Sequence, residues 1–185
     1  MPPIPRWQLS ANPFGYLSPT TAEHVDDALG GAVDLVLDGG PCRVGVESTI
    51  VRLEGGRLWI LRPGGISAEE LAAATGLTPE MATAATPDAP GMLEYHYAPH
   101  SRLRIVDEGS VRVAEPDVAL LSFRGARIPL GMPCCVLSPS GNLREAAARL
   151  FSALHELDRP GIRTILAERV PDEGLGRAIM NRLGK

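Results

Sequence analysis

Asn142-Leu143-Arg144-Glu145-Ala146-Ala147-Ala148-Arg149-Leu150-Phe151-Ser152-Ala153-Leu154-His155-Glu156-Leu157 reads as a helix. Leu143, Ala147, Leu150, Leu154 and Leu157 return at helical spacing, while Arg144, Glu145, Arg149, Ser152 and Glu156 fill the opposite face. Asn142 with Glu145 has the spacing of a capping box, and Pro160-Gly161 closes the element. Short apolar runs flank it at 134–137 and 164–167, and two more lie upstream at 103–106 and 118–121. Turn residues bound each run, the pattern of strands buried on both faces. A final helix is expected over 175–183. Strands alternating with helices predict a small, mostly parallel α/β unit over 102–185.

Upstream the pattern is again α/β. Thr20 or Thr21 can cap a helix through Ala22, Val25, Ala28 and Leu29 that stops at Gly30-Gly31. A strand-like run at 33–37 ends in Asp38-Gly39-Gly40. Runs at 48–53 and 57–61 flank Gly55-Gly56 and predict a hairpin. Ser67 with Glu70 predicts a capping box, and Gly76 a helix end. From 78 to 99 the periodicity fades among Pro79, Pro87, Pro90 and Pro99, which predicts a linker. The linker's second half carries Tyr95, His96 and Tyr97, more bulk than a spacer needs. The expected division is therefore 1–78, 79–101 and 102–185.

Composition narrows the function. Of 185 residues, 44% are hydrophobic and 22% charged, the balance of a globular domain, and the net charge of −4 disfavours bulk binding to nucleic acid. Cys42, Cys134 and Cys135 are odd in number and lack Cys-x-x-Cys spacing, against a disulfide framework or structural zinc site. Neither an apolar run of membrane-spanning length nor a signal-peptide pattern is visible. A cytoplasmic protein with reduced thiols, and no membrane partner, is the expectation.

Three motifs carry the chemistry. Ser10-Ala11-Asn12 and Ser18-Pro19-Thr20 place small donors around Gly15, ahead of a helix start; this suits a phosphate, and equally ordinary loop turns and a cap. Gly45-Val46-Glu47-Ser48-Thr49 enters a strand, so Ser48 and Thr49 face opposite sides. Glu47 there is open to three readings: a base, a cap or a partner for Arg43. Arg62, after a strand and before Pro63-Gly64-Gly65, suits a phosphate or carboxylate, or else a surface ion pair. His96 and His100 stand four apart, but Pro99 between them disfavours the helix that would make a metal pair. Neither a Rossmann glycine fingerprint nor a Walker loop occurs.

Together the motifs resemble the two-domain threonylcarbamoyl-AMP synthases. The first segment is similar to the C-terminal half of a YrdC-like domain. The Pro90-Gly91-Met92 and His96-Tyr97-Ala98-Pro99 linker and the ending from Gly174 to Leu183 are similar to that family's linker and small C-terminal domain, which the resemblance implies is Rossmann-like and parallel α/β. The resemblance implies formation of threonylcarbamoyl-AMP and pyrophosphate from L-threonine, bicarbonate and ATP, usually with magnesium. Partner proteins would then transfer the group to tRNA. It implies ATP or adenylate contacts from Ser10, Asn12, Ser18, Thr20, Arg62, Tyr95 and Tyr97, threonine contacts from Ser48 and Thr49, and a lid formed by 95–97. The family's upstream Lys-x-Arg pair has no counterpart: Arg6 is the only cation before Ser10, and Gln8-Leu9 stands where Ala-Pro is usual. Catalytic basic residues are thus not assigned, and an N-terminally shortened, mis-started or split product is expected. A non-catalytic docking or regulatory remnant is the alternative.

Overall fold

Side-chain caps start the first three α-helices of the chain, seen here in a computed structural model that describes residues 15–82 and 98–184. Helix α1 spans Ala22–Leu29; the Thr21 side chain accepts from the His24 amide, and Gly30 ends it at positive φ. Strands β1 (Ile50–Glu54) and β2 (Arg57–Arg62) pair antiparallel. Gly55 and Gly56 both take positive φ, as the tight hairpin turn requires. Helix α2 (Ala68–Thr75) carries the reciprocal Ser67–Glu70 capping box. A two-residue strand, β3 (Glu80–Met81), pairs parallel with β2 and completes a three-stranded sheet.

The second sheet holds β4 (Arg102–Val106), β5 (Val118–Ser122), β6 (Cys134–Val136) and β7 (Thr164–Glu168). All pairs are parallel, in the order β4-β7-β5-β6. Helix α3 (Leu143–Leu157) is the crossover from β6 to β7, and α4 (Gly176–Leu183) follows. The fold is therefore α/β, as the alternation predicted. Burial on both faces holds fully for central β5, whereas the edge strand β4 exposes Arg102 and Arg104.

Three local expectations need correcting. Residues 33–37 form no strand: Leu35 and Leu37 are exposed, and no strand among the described residues offers them a ladder. Only the turn survives, with the Gly40 amide donating to Asp38 Oδ1. Strand β3 falls in the stretch expected to be linker, because two residues carry no periodicity. The cap of α3 is not reciprocal. Asn142 Oδ1 accepts from the Arg144 and Glu145 amides, but the Asn142 amide donates to Ser138 Oγ, and Glu145 turns to the Ser138 and Ser140 hydroxyls.

One core joins both pieces. Helix α3 buries Ala146, Ala147, Leu150, Phe151, Ala153, Leu154 and Leu157 against β5, β6 and α4. Leu17, from the first piece, is fully buried in that same cluster. Gly45, at positive φ, lies so close to α3 that a Cβ would stand 2.3–2.5 Å from backbone atoms of Ala147 and Ala148. The three cysteines are free, and Cys134-Cys135 lies in β6 as expected.

Candidate active site

Five of the expected site residues, Ser18, Thr20, Ser48, Thr49 and Arg62, lie among the described residues, in three different settings. Ser18 and Thr20 line a cavity of about 390 Å³ with Arg43, Gly45 and Glu47, and Phe151 of α3 forms its inner wall. Thr20 is buried, and its carbonyl accepts from the Cys42 amide at 2.8 Å, which fixes the 18–20 loop to the 42–47 loop. Ser18 Oγ donates to Glu47 Oε1 at 2.6 Å.

Arg62 ends β2 with its side chain turned inward, and only 6% of the residue is exposed. Its Nη2 donates to the Ser48 carbonyl at 2.9 Å and lies 3.3 Å from Ser48 Oγ; its Nε reaches the same carbonyl at 3.3 Å. The surface ion pair considered from sequence is therefore not its setting. Ser48 is exposed, and the guanidinium beneath it holds its backbone carbonyl and reaches its hydroxyl. A guanidinium brings a fixed, planar fork of donors.

Thr49 faces away and serves the scaffold. Its hydroxyl donates to the Ile66 carbonyl at 2.6 Å and accepts from the Ile66 amide at 3.0 Å. The 62–66 turn is thus pinned to the 45–49 loop. The Gly65 amide adds a bond to the Glu47 carbonyl, and a Cβ on Gly64 would meet the backbone of Glu47 to Thr49 at 2.3–2.5 Å. Ser10, Asn12, Tyr95 and Tyr97, and with them the lid, lie outside the described residues.

Sequence reading missed the residue that ties these loops to the second sheet. Arg182 of α4 is 4% exposed; its Nε donates to Glu47 Oε2 at 2.6 Å and its Nη2 to the Pro63 carbonyl at 3.0 Å. Glu47 accordingly pairs with Arg182 and Ser18. Nothing local signals a bond across 135 positions. Further ion pairs join α2 to the second piece, Glu69 with Arg177 and Glu70 with Arg144.

A larger cavity, about 830 Å³, lies on the other side of the 16–20 loop and contains none of the expected site residues. Tyr16, His24, His100 and His155 contribute rings to it, with His24 stacked on His155 at 4.1 Å. The Thr20 amide donates to His24 Nδ1, and His155 Nε2 reaches the Ser18 carbonyl. Burial lowers the pKa of both histidines, and their mutual repulsion adds to this for His155. Tyr16 is pushed up to about 12 by burial and by the adjacent Asp158 carboxylate. Burial alone would raise Asp158, but bonds from Ser101 and His100 outweigh it and hold the carboxyl below its usual range.

A parallel α/β unit that clamps serine- and arginine-bearing loops onto its helical face defines a class, and the comparisons name it. Residues 66–185 match the family described as "Threonylcarbamoyl-AMP synthase, C-terminal domain", and residues 8–64 match one described as "Telomere recombination". The chain belongs to the threonylcarbamoyl-AMP synthase C-terminal domain family. It is 36% identical over 95% of its length to the threonylcarbamoyl-AMP synthase of Pyrococcus abyssi, covering 56% of that protein. It is 34% identical over 95% of its length to that of Schizosaccharomyces pombe, covering 50% of it. It also superimposes on the crystal structure of P. abyssi Sua5 complexed with L-threonine, with a TM-score of 0.76 and 32% identity, over 95% of this chain and 55% of that one. The chain spans about half the length of the curated relatives it matches.

Among the described residues no group of three or more His, Cys, Asp or Glu side chains is gathered to hold a metal ion. No helix among them is long and apolar enough to cross a membrane.

Proposed function

We propose that this chain carries part of an L-threonylcarbamoyladenylate synthase, acting on L-threonine, bicarbonate and ATP. In that reaction the carbamate oxygen of N-carboxythreonine attacks the α-phosphorus, the bond to the β-phosphate oxygen breaks, and pyrophosphate leaves. The product would feed tRNA threonylcarbamoyladenosine formation through separate transfer proteins, in the cytoplasm. Magnesium would arrive with the triphosphate. The relative solved with L-threonine supports the threonine assignment.

The observation that carries this reading is the Arg62–Ser48 pair, two residues named from separate motifs and found in contact. Arg62 would fix the Ser48 backbone and supply positive potential toward developing phosphoryl charge. Ser48 Oγ would bind the threonine substrate, with Thr49 holding the loop beside it. Ser18 and Thr20, with Ser10 and Asn12, would contact the nucleotide, and Tyr95 and Tyr97 would cover it. Such a site works by positioning and by excluding water from a labile mixed anhydride. The divisions 1–78, 79–101 and 102–185 belong to the same proposal.

Isothermal titration with magnesium ATP, with and without L-threonine, tests it. Saturable ATP binding that is lost in Arg62→Ala, and threonine binding that is lost in Ser48→Ala, are expected. Absence of saturable heat with either ligand would overturn the reading.

A further inference from the structure

We infer that Arg182, at the end of α4, is a positioning residue for the nucleotide and threonine loops, an inference that rests on the synthase reading. One guanidinium spans both loops. Its Nε holds Glu47 Oε2, and its Nη2 holds the Pro63 carbonyl. Glu47 passes the hold to Ser18 through its other oxygen. Ser48, next in sequence, rests on Arg62, which directly precedes Pro63. Backbone bonds from Cys42 to Thr20 and from Gly65 to Glu47 already join these loops to one another, and Arg182 ties the joined loops to α4, directly at Glu47 and Pro63 and through Glu47 at Ser18.

The local surroundings show why arginine is needed. Nη1 of Arg182 is held by Asn181 Oδ1 at 2.6 Å, which orients the fork. The Arg182 side chain is 1% exposed and that of Glu47 16%, so the pair is shielded from water and from salt. Lysine would offer a point charge without the planar fork that meets Glu47 and the Pro63 carbonyl from separate nitrogens. Close backbone contacts at Gly45 and Gly64 leave the loops little room to settle elsewhere. The small parallel domain thus acts as a brace for the chemistry, beyond its own folding.

The test compares Arg182→Met and Arg182→Lys with the parent chain by hydrogen exchange and by titration with magnesium ATP. Arg182→Met is expected to raise exchange at 43–49 and 62–66 at least tenfold, leave 118–122 and 164–168 protected, and weaken ATP at least tenfold. Arg182→Lys should fall between. If Arg182→Met does not fold, Glu47→Gln/Arg182→Met, which leaves neither charge buried alone, carries the same comparison. Unchanged exchange in both loops of a folded variant overturns the inference, as does unchanged ATP affinity where the parent binds. A parent chain that binds no ATP defeats the synthase reading, and the exchange comparison then decides the positioning role by itself.

Discussion

At the residue scale, the site is built from buried charge. Glu168 shows how the parallel domain tolerates this: fully buried, it accepts from Ser122 Oγ, the Phe123 amide and the Gly109 amide at 2.6–2.9 Å. Glu168→Ala would strand those donors and is expected to cost about 3 kcal/mol, read by denaturant unfolding. The stacked histidines set a pH dependence. Their folded pKa values lie below the unfolded value of about 6.5, so the unfolded chain binds more protons as acid is added. Their contribution is complete above roughly pH 6.5 and is lost as pH falls through the lower folded values. Asp158 is likewise depressed, and its contribution disappears only below about pH 4. Melting temperature against pH should therefore fall in two steps, and His24→Gln should flatten the upper one. A profile unchanged by His24→Gln would contradict this. Small donors at Ser18, Thr20 and Ser48 and a strand-end arginine at Arg62 are local signals, and the structure sets Ser48 against Arg62 and Ser18 beside Thr20. The Arg182–Glu47 bond was not, since its partners meet only once both pieces are packed.

At the scale of elements, legibility followed capping and period. α1, α2, α3 and the hairpin announced themselves through Thr21, Ser67, Asn142 and Gly55-Gly56. The run at 33–37 looked like a strand by composition, yet a strand needs a neighbour, which local sequence does not supply. β3 went unseen because its pairing with β2 is its only strand-like property. Gly45 is where an element meets a loop most tightly. Gly45→Ala should push 43–47 off α3 and lower the melting temperature by several degrees. Gly39→Ala, with nothing within 4 Å and no positive φ, should be neutral and serves as its control. Equal melting temperatures for the two variants would remove the close-packing argument.

At the scale of the whole molecule, the two pieces share one core. Leu17 belongs to the first piece by sequence and to the second by burial. Leu17→Ala is expected to cost about 2–4 kcal/mol and to shift a single cooperative transition rather than split it. Two separate transitions, only one of them shifted, would show that the pieces fold independently. The α/β character of each piece was legible from periodicity, while their joint core was not, because Leu17 is one apolar residue in a loop until α3 covers it. The loops braced by the parallel sheet and its helices would together form an adenylate site. Photolabelling the chain with an azido-ATP and mapping the modified peptides reads this out. ATP-competed labelling is expected within 15–20, 43–49 and 62–66. Labelling confined to the loops of the parallel sheet, or labelling that ATP does not displace, would contradict it.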